Sequence, residues 1–190
     1  MISHKHQFIF VHINNTGGTS IETLFYPDAS VIDVPEKHEF ISYYKLIYPF
    51  IFDKYFKFSI VRNPWDRMVS QYLYRKKHNK DKILQDNRSF SDWARDPGGH
   101  LNPQLEWVTA SDYNGNKCVM VDFIGRFETL SNDWKFVCKQ LNLDQQLPHV
   151  NNNSEGKHYS QYYDAELVQL VKERFQDDIE YFNYSFDSII

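Results

Sequence analysis

A chain of 190 residues, 42% hydrophobic and 24% charged, is long enough for one compact domain with a substantial core and too short for two of ordinary size. Its formal net charge of −4 gives no global basic field for nucleic acid or a long polyanion, so any anionic ligand has to be met by a local site. Two cysteines, Cys118 and Cys138, with no histidine pair at metal-ligand spacing, argue against a disulfide framework or a metal site and for a reducing compartment.

The opening MISHKHQFIFVH lacks the charged-then-apolar layout of a signal peptide, and no window approaches about 18 apolar residues. A cytoplasmic protein with no membrane partner is expected. The formal sequon Asn14-Asn15-Thr16 agrees, since a glycan there would block the loop it belongs to. The apolar run 8–11 predicts a strand buried on both faces of a parallel sheet. The loop HINNTGGTSI follows, and then Ile21, Leu24 and Phe25 at helical spacing, with Thr19 or Ser20 placed to cap the helix. Residues 31–34 predict a short strand and 38–48 a helix interrupted at Pro49. A strand at 56–61 leads to Asn63-Pro64 as N-cap and first residue of a long helix. On it Trp65, Met68, Val69 and Tyr72 form an apolar stripe, with Asn63, Arg67 and Ser70 on another face and Arg75-Lys76-Lys77 read as a solvated one. Residues 79–118 are polar and broken by glycine and proline, an insertion that shapes a pocket, with a short helix at 90–94. A third buried strand is expected at 119–125, helices at 130–141 and 164–182, and a polar loop at 148–158 between them. Strand and helix alternate throughout, so the expected fold is α/β: a parallel sheet flanked by helices, in a single domain spanning 1–190.

Two strand-to-helix junctions at strand carboxyl ends open on one edge of a parallel sheet. At the first, a glycine turn and a helix N-terminus aim backbone N–H groups at one small volume, suited to phosphate or sulfate; a plain helix cap is the alternative reading. The second offers Arg62 and Ser70, a guanidinium and a hydroxyl able to hold another phosphate. A ligand with phosphates at two ends is implied.

These segments carry a family resemblance. INNTGGTS resembles the HIPKTGGTS phosphosulfate loop of sulfotransferases, and IVRNPWDRMVSQY resembles their 3′-phosphate segment. Weaker matches, DFIGRFETLSNDW and LPHVNNNSEGKHYSQYYDAEL, follow in the family's order. The chain is similar over nearly its whole length to carbohydrate-type sulfotransferases and their soluble bacterial relatives. The resemblance implies a P-loop-like fold that transfers the sulfuryl group of 3′-phosphoadenosine 5′-phosphosulfate (PAPS) to a hydroxyl, with no metal. Thr16, Gly17, Gly18, Thr19 and Ser20 would take the 5′-phosphosulfate, Arg62 and Ser70 the 3′-phosphate, and Lys157 would reach a phosphate from the covering loop. His38, in VPEKHEF, sits where family members often carry a catalytic base, the usual answer to the acceptor's proton. His100 and Gln104, in GGHLNPQLEW, are candidate contacts for a carbohydrate or small-molecule acceptor; His12 reads as a structural partner of the loop. Arg126 and Glu128 read equally as a family motif or a structural ion pair.

Asn15 departs from the pattern, because family members place there a lysine that stabilises the leaving oxygen. Either Lys157 or Lys37 substitutes, or the protein binds PAPS or its product adenosine 3′,5′-bisphosphate (PAP) without efficient turnover. An NTP-dependent kinase is disfavoured by the missing GxxxxGK[ST] lysine and spacing.

Overall fold

The computed structural model describes residues 1–26, 36–78, 88–98, 101–148 and 157–187. The predicted strand at 31–34, most of the polar loop at 148–158 and His100 lie outside them. Its contacts divide the chain into two compact units, Met1–Val61 with Gln104–Asn151, and Arg62–Pro103 with Asn152–Ile190.

The first unit holds the sheet. Strand β2 (Phe8–Val11) is buried at every position, as a run without polar alternation requires of a strand covered on both faces. It pairs in parallel with β3 (Phe56–Val61), which pairs in parallel with β6 (Phe123–Arg126). The short β1 (Ile2–Ser3) runs antiparallel on the other edge of β2, giving a mixed, mostly parallel sheet in the order β1-β2-β3-β6. Helices α1 (Gly18–Phe25) and α7 (Leu130–Leu141) contribute Ile21, Trp134, Val137 and Cys138 to a core that includes Phe8, Phe10, Phe58 and Ile60. The rings interlock, with Phe10 stacked on Phe58 at 4.9 Å and Phe25 set edge-on to Phe8 at 4.8 Å.

The helix expected at 38–48 starts later and continues past Pro49, as α2 (Ile41–Ile47) followed by α3 (Pro49–Phe52). Glu36 and His38 both have positive φ, which no helix accommodates, and Pro49 is tolerated because it opens α3. The strand expected at 119–125 is replaced by two. Helix α6 (Gln104–Val108) leads into a hairpin of β4 (Thr109–Ser111) and β5 (Lys117–Val119), and β6 begins only at Phe123. Asp122 separates β5 from β6 by accepting the Lys57 backbone N–H on its carboxylate while its own N–H bonds the Lys57 carbonyl.

The second unit is helical. Asn63 caps α4 (Pro64–Lys77) by accepting the Trp65 N–H, with Pro64 in the first turn. Trp65, Met68, Val69 and Tyr72 form a core with Phe90 and Trp93 of α5 (Phe90–Arg95) and Leu167 and Val171 of α8 (Ala165–Arg174). The expected 164–182 helix breaks at the buried Phe175, beyond which α9 (Gln176–Phe182) starts anew; neither proline nor glycine marks the break. Two cationic side chains of α4 are buried, and for Arg75 this corrects the solvated reading. Arg67 is 1% exposed and donates from Nη1 to the Asn102 carbonyl, and burial lowers its pKa to about 10. Arg75 is likewise buried, so only Lys76 and Lys77 of that run meet solvent. Long cationic side chains reach through an apolar layer by their stems, which a helical wheel of charges does not reveal.

Candidate functional site

The loop after β2 is built by left-handed residues. Asn15 has φ 64° and Gly17 φ 83°, so the chain reverses within a few residues and enters α1 at Gly18. A Cβ on Gly17 would meet the Phe127 ring at 3.0 Å, and one on Gly18 would lie 2.2 Å from Cδ2 of His12. Both positions therefore require glycine. The cap is Gly17, not Thr19 or Ser20, and no side chain caps α1. No side chain takes its first-turn N–H groups, the condition under which a helix start holds an anion. Thr16 is fully buried, and its hydroxyl donates to the Ile13 carbonyl at 2.8 Å, bracing the turn from within. Ser20 donates its backbone N–H to the Gly17 carbonyl.

Behind the loop lies a buried charged group that the sequence did not signal. His12 ends β2, and its Nδ1 stands 2.6 Å from Oε1 of Glu22; Oε2 of Glu22 accepts from Lys37 Nζ at 2.5 Å. The His12 and Glu22 side chains are each 3% exposed. Burial lowers the His12 pKa, so the ring is neutral and donates its Nδ1 proton to the carboxylate. Burial alone would raise Glu22, but the hydrogen bonds from His12 and Lys37, with the Lys37 charge, outweigh it and hold the carboxyl at about 2. Lys37, considered as a substitute for the missing lysine, is thus committed to Glu22.

His38 does not open a helix. It sits in a turn at φ 62°, its Nδ1 2.9 Å from the carbonyl oxygen of His12, and its ring centroid 4.4 Å from that of His12. A carbonyl only accepts, so Nδ1 carries the proton and Nε2 keeps a lone pair. Burial, and then the neighbouring His12, lower the His38 pKa to about 4, leaving the ring neutral near pH 7. Trp107 of α6 approaches His38 at 6.5 Å, nearly perpendicular, and stacks on Phe40 at 4.5 Å.

The structure therefore brings His12, Gly18, Glu22, Lys37 and His38 into one cluster behind the loop that contains Asn15 to Ser20. Gln104 is fully buried at the start of α6, and Arg126 is half-buried at the end of β6. Arg62, Ser70 and Lys157 belong to the second unit. There Arg62 donates from Nε to Asp66 at 2.7 Å, Ser70 is half-buried on α4, and Lys157 is exposed. Glu22 escaped the sequence reading because it interrupts an apolar helix face. Its only signal is a histidine at the end of a fully buried strand, which demands a partner.

The β2–loop–α1 junction sits in a mostly parallel sheet, and comparison with known proteins gives its family. The chain belongs to the Sulfotransferase family, whose profile matches residues 1–185. It is 35% identical over 97 residues to a protein of Archaeoglobus fulgidus described as uncharacterized, covering 51% of this chain and 76% of that one. It is 24% identical over 170 residues to carbohydrate sulfotransferase 10 of Homo sapiens and of Pongo abelii, covering 68% of this chain. The match spans about half, 47%, of those carbohydrate sulfotransferases. No solved structure matches the chain significantly. No described helix is long and apolar enough to cross a membrane.

Proposed function

We propose that the protein transfers the sulfuryl group of PAPS to a hydroxyl of a carbohydrate or small-molecule acceptor. The observation that carries this reading is the bond between His38 Nδ1 and the His12 carbonyl, which fixes a neutral imidazole on the residue where the anion loop begins. A base and an anion cradle then share one anchor. The cradle fits the donor: backbone N–H groups at the start of α1, which no side chain caps, suit the phosphosulfate, and Thr16 to Ser20 are assigned to it. Arg62 and Ser70 are assigned the 3′-phosphate. In the transfer, the acceptor oxygen forms a bond to sulfur as the sulfur–oxygen bond to the phosphate breaks. The acceptor proton passes to Nε2 of His38, and the electron pair of the broken bond stays on the phosphate oxygen, releasing PAP. The protein's work is positioning and charge stabilisation.

Calorimetry with PAP, with and without EDTA, tests the donor assignment. Micromolar binding unaffected by EDTA is expected, and its absence in both conditions would remove PAPS from the account. Arg62→Ala should weaken PAP much more than adenosine 5′-phosphosulfate, by the about 1.5–3 kcal/mol of a charged hydrogen bond. Equal losses for both nucleotides would assign Arg62 elsewhere.

Asn15 supports a second reading, a PAP- or PAPS-binding relative with little turnover, because it brings no cation to the leaving oxygen. Its left-handed backbone suits asparagine, whereas lysine there costs roughly 1–2 kcal/mol. Asn15→Lys should therefore lower stability slightly. If no other group serves the leaving oxygen, it should raise PAP release from PAPS by up to about 10²–10³, the worth of one preorganised donor. An unchanged rate, together with loss of activity in Lys157→Ala, would give the role to Lys157. Wild-type rates in both variants would refute this account of the leaving group.

A further inference from the structure

Trp107 carries a polar atom that the fold leaves unused. The residue is 5% exposed, and its indole Nε1–H has no hydrogen-bond partner among the described residues. A buried donor of this kind is costly, and its persistence calls for an acceptor that arrives from outside. Two other buried indoles are satisfied internally: Trp65 donates to the Val168 carbonyl and Trp134 to the Gln145 carbonyl. One face of the Trp107 ring is covered by Phe40, their planes 10° apart, so that face offers no stacking platform. What remains at Trp107 is a donor, next to a ring that offers an acceptor.

That neighbour is His38, whose Nδ1 is occupied by the His12 carbonyl and whose Nε2 therefore holds the lone pair. A donor N–H and an acceptor nitrogen on rings 6.5 Å apart complement a group that is itself both donor and acceptor. A hydroxyl is such a group, and adjacent hydroxyls on a sugar ring supply both functions over a slightly longer span. A thiol or an amide matches less well, the first as a weak acceptor and the second through the divided roles of its two atoms.

We infer that Trp107 Nε1–H binds a hydroxyl oxygen of the acceptor substrate beside His38, making Trp107 a specificity-determining contact for polyhydroxylated acceptors. The inference rests on the sulfuryl-transfer reading for its role but not for its chemistry. Trp107 selects and orients the hydroxyl-bearing ring, and His38 takes the proton.

The test uses the full-length protein with 15N-labelled tryptophan, the Trp107 indole resonance being assigned from its loss in Trp107→Phe. Methyl β-D-glucopyranoside, methyl β-D-galactopyranoside and methyl β-D-glucuronide are titrated in the presence of PAP, and transfer from PAPS to each is assayed separately. The Trp107 indole proton should move downfield and saturate with at least one glycoside, while those of Trp65 and Trp134 stay put. An unmoved Trp107 resonance with all three overturns the inference, whatever the transfer assay gives. Movement without transfer in the wild type keeps the hydroxyl contact and removes the sulfuryl-transfer reading instead. For a glycoside that is turned over, replacing Trp107 by 3-benzothienylalanine keeps the ring shape and deletes the N–H. The KM for that glycoside should rise about 5- to 10-fold, the equivalent of one neutral hydrogen bond, with kcat and PAP affinity little changed. A wild-type KM in this protein, with or without a lowered Tm, would assign the N–H to a structural water and refute the proposal.

Discussion

Replacing His38 by alanine is expected to lower turnover by about 10²–10⁴ while PAP affinity stays near wild type, the signature of a lost base and not of lost binding. The geometry makes the effect specific. The Nδ1 proton is spent on the His12 carbonyl, so only Nε2 can accept, and the pKa of about 4 keeps that nitrogen unprotonated through the neutral range. The pH profile follows in sign. The proposed role needs the neutral ring, so the acid limb should fall away between pH 6.5, the ordinary histidine value, and about 4, the lowered one. The proposed donor's phosphosulfate would add negative charge near the loop and move the limb upward within that window. His38→Gln retains a hydrogen-bonding side chain but has no basic nitrogen, and it should be as slow as the alanine variant. Unchanged turnover in both variants, or an acid limb that survives in them, would move the base to another residue.

How far the sequence foretold this site depends on the range of the interactions involved. The β2–loop–α1 junction was legible because each part is local: an apolar run, two glycines in tandem and a helical repeat within 18 residues. The Asn63-Pro64 start of α4 was legible for the same reason. The identity of the cap was not: it falls to Gly17 in a left-handed conformation, and the Phe127 ring, 110 positions away in the chain, lies where a Cβ at 17 would go. The His12–Glu22–Lys37 group was illegible because its members are 10 and 15 residues apart across a strand, a helix and a turn, with no periodicity joining them. His38 was named as a base from resemblance, but its placement in a left-handed turn on the His12 carbonyl is a tertiary fact. Trp107 belongs to a chain that is 17% aromatic, and only the fold shows that its indole nitrogen lacks a partner among the described residues.

The largest stability effect should come from Glu22. Its carboxylate is buried and bridges two groups, so Glu22→Ala strands the Lys37 ammonium and the Nδ1 proton of His12 together. Breaking a buried ion pair from one side costs about 3–5 kcal/mol, and the low end is expected here because Lys37 keeps some contact with water. In a chain of this size a loss of about 3 kcal/mol lowers Tm by roughly 6–12 °C. The pH dependence gives an independent measure. The folded pKa of about 2 lies below the ordinary 4.5, so the unfolded chain binds the proton first and Glu22 stabilises the fold above pH 4.5. That contribution, about 3 kcal/mol from the shift, is lost progressively as pH falls from 4.5 toward 2. His38 adds an earlier loss of the same sign between pH 6.5 and 4, because its depressed pKa also lets the unfolded chain take the proton first. Denaturant unfolding of wild type, Glu22→Gln, Lys37→Met and the double variant, from pH 7 to pH 3, separates the contributions. Glu22→Gln should flatten the curve below pH 4.5 and leave the His38 window in place. The Glu22–Lys37 coupling energy should fall in the roughly 0.5–3 kcal/mol range of contacting residues. Additive single variants, or a Glu22→Gln curve parallel to wild type down to pH 3, would show that the carboxylate does not hold the loop's foundation as a charged bridge.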